Sequence, residues 1–406
     1  MAHGKEVHLD DNIQIGDEAS GFGKVALGIG AGALVLAIVL GGGPMGKQFQ
    51  QSYMVAFMYG LAIGLGAIWF VTLQHLTNAK WSVVVRRVAE IVAANMPILT
   101  GLALLAILPL VTGNSELYVW THPDKVHESH VLVHKSGYLN LSFFLVRCVA
   151  YFGFWSFLSR HFLKQSLAQD SSGDAKISTS LQSLSAPGMI LFALTLTFCV
   201  IDFVMSIDAE FFSTIFGVYY FAGCVASGYS FIALSLMWLQ GKGRLVNVVN
   251  REHFHDLGKI MFAFGVVFWS YIAFSQFMLI WYGDMPEETH WFHERFHGDW
   301  KLVSGALLAF HFVIPFFGLM SRHVKRNRRT LAFWAFWLLI IEYVDLYWLV
   351  MPTVSPDEIP FHVVDLFAWI GVVGLFVGFA ATRSKGLNLV PTRDPRLADS
   401  LAFENL

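Results

Sequence analysis

Residues 52–74 read SYMVAFMYGLAIGLGAIWFVTLQ, without a single charged position. At about 1.5 Å per residue, a helix of this length crosses a hydrocarbon layer of roughly 30 Å. The segment has no polar face to turn toward water, so it reads as a membrane span rather than a half-exposed helix. Working outward, comparable apolar blocks fall at about 22–42, 88–112, 138–160, 187–206, 212–240, 258–282, 301–322, 330–351 and 362–382. The expected architecture is all-α: an integral membrane domain of ten transmembrane helices over residues 22–382. A polar segment, 1–21, precedes it and a tail, 383–406, follows it.

Composition points the same way. The chain has 406 residues, 55% hydrophobic and 14% charged, with mean hydropathy +0.56. A soluble domain of that size needs far more surface charge. The net charge of −2 leaves no basic face for nucleic acid. The N-terminus is polar and acidic with no A-x-A-like site after the first block, so the first span is the expected insertion signal, with no cleaved leader. Cys148, Cys199 and Cys224 all fall inside apolar blocks. No C-x-x-C or C-x-x-C-H occurs, so neither covalent haem nor an iron–sulfur cluster of the usual spacing is expected on this chain.

Lysine and arginine set the orientation. The N-terminus, the loops 75–87, 160–186, 241–259 and 322–329, and the C-terminus carry 21 of the 27 basic residues. The opposite loops hold Lys47, Lys125, Lys135, Arg295 and Lys301, and Arg147 sits within a span. By the positive-inside rule both termini are expected in the cytoplasm, and the alternation requires an even number of spans. The cluster at 321–329, SRHVKRNRR, reads as topology anchoring, with lipid headgroups as the alternative partner. The outward loops 121–135, 282–301 and 352–362 are acidic and rich in His and Trp. Trp291, Phe292, Phe296 and Trp300 call for something to bury against, so a docking surface for an extracytoplasmic partner is expected there. An interfacial aromatic belt is the alternative. His290, His293 and His297 have metal-like spacing, but no ligating carboxylate can be inferred beside them, and no metal is expected.

Ionisable side chains at lipid depth cost at least about 2.5–3.5 kcal/mol each, so each demands a reason. Arg147 and His311 fall near mid-span. Asp202 lies near the outer end of the fifth span, Glu342 and Asp345 in the ninth, and Asp365 at the start of the tenth. Glu90, near an inner end, is expected to reach water. Glu342 and Asp345 are three residues apart on one helix face, flanked by Tyr343 and Tyr347. Arg147, Asp202, His311, Glu342, Asp345, Asp365, Tyr343 and Tyr347 together read as a proton path opening outward. The competing reading is one or two buried ion pairs, such as Arg147 with a carboxylate, locking helices together. A haem b needs two histidines at similar depth on facing helices; only His311 is deep, so none is expected. IDFVMSIDAEF (201–211) and VDLYWLVMPTV (344–354) echo one another weakly. If spans two to five and six to nine are two four-helix bundles, Asp202 and Asp345 are equivalent.

Several longer stretches carry a family resemblance. DFVMSIDAEFFSTIFGVYYFAG (202–223), SQFMLIWYGDMPEETHWFHER (275–295), HFVIPFFGLMSRHVKR (311–326), DLYWLVMP (345–352) and LVPTRDPRLADSLAFEN (389–405) resemble the ActF subunits of bacterial alternative complex III. These belong to the wider NrfD/PsrC-like group of quinone-interacting membrane subunits, and the likeness runs from about residue 50 to the end. The resemblance implies ten helices as two four-helix bundles, spans two to five and six to nine, with a flanking helix at each end. It implies a place in a quinol:cytochrome c oxidoreductase of the bacterial cytoplasmic membrane. Expected partners are a sister ten-helix ActC-like subunit, outward iron–sulfur and multihaem cytochrome c subunits, small membrane subunits, a terminal oxidase and phospholipids. Haem and iron–sulfur centres would lie only in those partners. Quinol oxidation is associated chiefly with the sister subunit, so this chain is expected to be a non-catalytic subunit contributing a proton half-channel.

A quinone or menaquinone would need an aromatic slot with one or two hydrogen-bonding groups. Tyr138, Phe143, Phe144, Arg147 and Asp202 are the candidates. Two other functions compete: a secondary transporter, which would show Gly/Pro-broken helices at mid-membrane, and a purely structural scaffold. Most prolines here sit at span ends, with Pro97, Pro109 and Pro315 as exceptions.

Overall fold

Ten helices long and apolar enough to cross a membrane run through the computed structural model, which describes residue 9 and residues 12–405. They are Asp17–Leu40, Lys47–Leu76, Val83–Val111, Leu141–Ser172, Ala175–Ile207, Phe216–Gly241, Arg251–Gly283, Trp300–Met320, Arg328–Val354 and Val363–Ser384. No strand forms among the described residues; an isolated bridge joins Gln14 to Asn388. The expected N-terminal segment, 1–21, lies partly outside the described residues.

The all-α membrane architecture matches the expectation, but the helices outrun the apolar blocks. Residues 160–186, read as a loop, are mostly helix. Leu141–Ser172 turns into Ala175–Phe203 through Gly173 and Asp174 alone. Gly173 takes φ +65°, which a side chain would resist, and the Asp174 carboxylate caps the next helix at Lys176. Because span four starts at Leu141, Arg147 lies in its second turn. That is nearer the surface than the sequence spacing suggested.

Spans two to five and six to nine each pack among themselves, and span two packs most extensively on span six. At this crossing a Cβ on Gly66 would overlap the Cys224 carbonyl, and one on Gly228 would overlap the Gly66 backbone. Small residues let two backbones touch where no hydrophobic force drives helices together in lipid. Spans one and ten form a pair of their own, with Gly23 and Gly30 set against Gly371, Gly374 and Gly378. Span ten attaches this pair to span two.

Three spans are irregular at depth. Span three breaks at Ala94–Asn95, just ahead of Pro97, where Asn95 Nδ2 donates to the Phe376 carbonyl. Spans seven and eight widen into π-helical stretches at Met261–Phe268 and Leu308–Val313. Such widening frequently marks functional sites.

Both chain ends and the basic loops share one face. The tail crosses it as a strap: Thr392 N donates to Asp170, Ser400 Oγ to the Trp81 carbonyl, and Asn405 Nδ2 to Asp256. Glu90 does not reach water. It is fully buried, bound by Arg86 and Arg87 at 3.1 Å each, and Arg86 also donates to Asp394 of the tail at 2.6 Å. Burial alone would raise the Asp394 carboxyl, but Arg86 and Arg396 hold it below the usual carboxylate range.

Candidate functional site

The intramembrane ionisable groups fall into three places rather than one file. In the first bundle, Arg147 grips Asp202 through two parallel bonds of 2.8 Å. Tyr151 donates to the same carboxylate, also at 2.8 Å, while Arg147 caps the Tyr138 carbonyl and lies 3.8 Å from that residue's ring. Asp202 is fully buried and fully satisfied. This is the ion-pair reading of these two residues, locking span four to span five. The quinone slot expected here does not fit the packing. Phe144 is wholly buried against Trp120 and Phe203, and the charged groups are committed to each other.

Asp365 forms the second place. Its carboxylate accepts from Ser52 Oγ at 2.5 Å and from the His362 backbone at 2.8 Å, closing a capping box at the start of span ten. Tyr343 and Tyr347 turn toward this neighbourhood, not toward Glu342 and Asp345 as expected. The Tyr343 hydroxyl donates to the Asp365 carbonyl at 3.3 Å, and the Tyr347 hydroxyl lies near the Asp365 carboxylate without a well-formed hydrogen bond among the described residues.

The third place is unlike the others. His311, Glu342 and Asp345 bring ligand-capable atoms within 4.8 Å of one another, and all three side chains are buried. Asp345 accepts from Tyr219 of span six at 2.5 Å and from Trp269 Nε1 of span seven at 3.1 Å. The His311 ring stacks on Trp269 with centroids 3.7 Å apart. Neither His311 nitrogen nor Glu342 Oε2 finds a hydrogen-bond partner among the described residues; the nearby Gly265 carbonyl falls outside bonding geometry. No Lys or Arg among the described residues pairs with either acid. Two carboxylates this close and this dry cannot both keep a charge, so the cluster must hold at least one proton or another cation.

Local backbone explains the placement. His311 sits on the π-helical stretch of span eight, and Trp269 directly follows that of span seven, so the widened turns present the two rings to each other. Gly223 of span six leaves room for Glu342, whose carboxylate a Cβ there would overlap. Spans eight and nine, the third and fourth of the second bundle, carry His311 and Asp345, as spans four and five of the first carry Arg147 and Asp202. The first bundle has a permanent cation there, and the second has an imidazole.

Toward the acidic face the cluster continues into polar groups. Arg295, fully buried, lies 3.4 Å from the Trp291 ring and donates to the Leu349 carbonyl. Glu294, Asp208 and Tyr219 are within its electrostatic reach. Burial pushes the Arg295 guanidinium down to about 9, so it stays charged at neutral pH. Burial pushes the Glu294 carboxyl up. Beyond them half-exposed His290 bonds Asp208 at 3.1 Å, bringing to its side carboxylates that the spacing of 290, 293 and 297 did not foretell. His293 and His297 stack on each other instead of joining it.

The outward aromatics bury within the chain. Trp291 packs on Phe211 and Trp348, Phe292 on Phe277, and Trp300 beside Tyr347; Phe296 alone of the four stays exposed. They therefore need no partner to cover them, and that ground for a docking surface falls away. Tyr219, Trp269, Arg295, Asp208 and Glu294 escaped the sequence reading. In a chain with 15% aromatic residues, nothing marks one Tyr or Trp as the donor to a buried acid.

No protein-family model matches the chain, and a search of curated proteins finds no relative of significant similarity. What fold and site define is a class: a multi-pass helical membrane protein with a buried acidic cluster, unpaired with Lys or Arg among the described residues, in one of two bundles.

Proposed function

We propose that this chain is a membrane subunit of a respiratory quinol-oxidising complex, and that its second bundle carries protons between the His311–Glu342–Asp345 cluster and the outer face. One observation carries the proton reading. The cluster holds two acids and an imidazole with unsatisfied atoms and no Lys or Arg partner among the described residues, whereas Asp202 of the first bundle is neutralised by Arg147. Groups that share protons are the chemistry left when fixed ion pairs are absent. Tyr219, Glu294, Asp208 and His290 supply stepping points toward the acidic face, with Arg295 as fixed charge among them.

The electron-carrying part of the proposal rests on the resemblance of residues 202–223, 275–295 and 389–405 to ActF subunits. On that reading haem, iron–sulfur clusters and quinol oxidation belong to partners, and the bacterial cytoplasmic membrane is the location. The test isolates the protein in mild detergent, records its visible spectrum and subunit pattern, and follows proton release in proteoliposomes. Asp345→Asn and Glu342→Gln should keep haem-bearing partners bound yet lower proton release roughly tenfold or more. Unchanged turnover and proton stoichiometry in both variants would defeat the relay. A chain that purifies alone, without haem, would defeat the respiratory assignment.

A further inference from the structure

The pairing of spans one and ten leaves a gap beside the bundles. Span ten rests on span two, and Phe22 of span one reaches across to Trp238 of span six, with rings 5.2 Å apart. Between these contacts runs a cavity of about 360 Å³. One end lies at Ser384 and Leu389, by the basic face, and the other at Tyr59 and Trp369. Along span ten that is roughly 22 Å, the length of a common fatty-acyl chain fully extended. The walls between are aliphatic and aromatic, and exposed Phe336 and Ile340 open the flank sideways at hydrocarbon depth.

Charge collects at one end only. Lys24 follows the lining Phe22 by two positions, Lys242 follows Leu239 by three, and Lys385 follows Ser384 directly. Lys385 pairs with Asp17 at 2.6 Å, Lys24 also lies within electrostatic reach of that carboxylate, and Glu18 adjoins it. Lys24 and Lys242 are exposed and make no hydrogen bond or ion pair with described residues. Arg328 donates to the neutral Gln240 side chain and forms no ion pair among the described residues. An apolar void in lipid forfeits dispersion contacts that a hydrocarbon chain would restore, and cations at its mouth favour an acidic headgroup.

We propose that the cavity holds one acyl chain of an anionic phospholipid, with the headgroup at Lys24 and Lys242. This is independent of whether the chain serves a quinol-oxidising complex. A ring-headed lipid would enter differently. At the deep end the Trp369 indole N–H makes no well-formed hydrogen bond among the described residues, with the Tyr59 hydroxyl beside it, and a carbonyl-bearing head would seek it.

The experiment extracts lipid from the protein purified with its native partners in mild detergent and identifies it by mass spectrometry. Expected is near-stoichiometric anionic phospholipid, reduced severalfold in the Lys24→Glu, Lys242→Glu double variant and lost in Ala381→Phe, which fills the cavity. Trp369→Phe should retain it. Should Ala381→Phe fail to fold, the charge variant, lying on the exposed surface, still decides. Finding no tightly held phospholipid, or equal retention in the charge variant, overturns the proposal. So does recovery of a prenylquinone that disappears in Trp369→Phe.

Discussion

Arg147 and Asp202 illustrate how far a single residue can be read from sequence. That a charge at lipid depth must be compensated follows from its insertion cost alone, so the positions stood out. Which acid serves the arginine and which stay unpaired depends on helix packing that no local pattern encodes. The structure therefore predicts opposite outcomes for two aspartates that look alike in sequence. Asp202→Asn leaves a buried guanidinium without its carboxylate and should cost roughly 3–5 kcal/mol, seen as a lowered Tm in detergent. Replacing both partners together, Arg147→Met with Asp202→Leu, should recover most of that loss. Asp345→Asn should leave Tm nearly unchanged, because Trp269 Nε1 can donate to the amide oxygen while the Tyr219 hydroxyl turns to accept from the amide nitrogen. Its effect belongs to proton release. A large stability loss at position 345, or none at 202, would reverse this division of roles.

At the scale of elements, ten spans were legible because twenty apolar residues in a row have few alternatives to a membrane helix. Their ends were not. The hairpin at Gly173–Asp174 prolongs two spans with polar residues such as Gln169, Ser171 and Ser172, which a hydropathy window discards. The π-helical stretches of spans seven and eight were equally hidden, since MFAFGVVF and LAFHFV read as ordinary apolar helix. They nonetheless set the Trp269–His311 stack. The tail strap carries a pH prediction. The Asp394 carboxyl sits below its unfolded value, so between those two values the detached tail binds more protons than the docked one. Its contribution is present in full above the usual carboxylate range and is lost as pH falls through the lowered value. Protection of the amides of residues 388–405, taken relative to the intrinsic exchange rate at each pH, should be high at neutral pH and fall in acid, and Asp394→Asn should show fast exchange already at pH 7. Slow exchange in that variant would mean the strap is held by something else.

For the whole molecule, the expected division into two bundles with a flanking pair is matched by the packing, and the site lies in one bundle rather than between them. The Gly66–Gly228 crossing fixes how these bodies can move. Two backbones in contact pin span two to span six at this point, so any rocking of one bundle on the other, the motion a secondary transporter requires, would have to pivot there. Gly66→Leu or Gly228→Leu should abolish folding, measured as loss of monodisperse protein after extraction, because both neighbours at the crossing are main chain. Normal yield from either variant would imply an interface much looser than the one described.

The strap has one more consequence, for biosynthesis. Arg86 and Arg87 enter the bilayer early, but Asp394 is translated some three hundred residues later, after the tenth span. Until Asp394 is made, Arg86 and Arg87 have Glu90 and Asp170 but Arg86 lacks its second carboxylate, so a chain stopped before the tail would present one unmatched positive charge to the membrane's degradation machinery. Asp394 thus reports that translation has passed the tenth span.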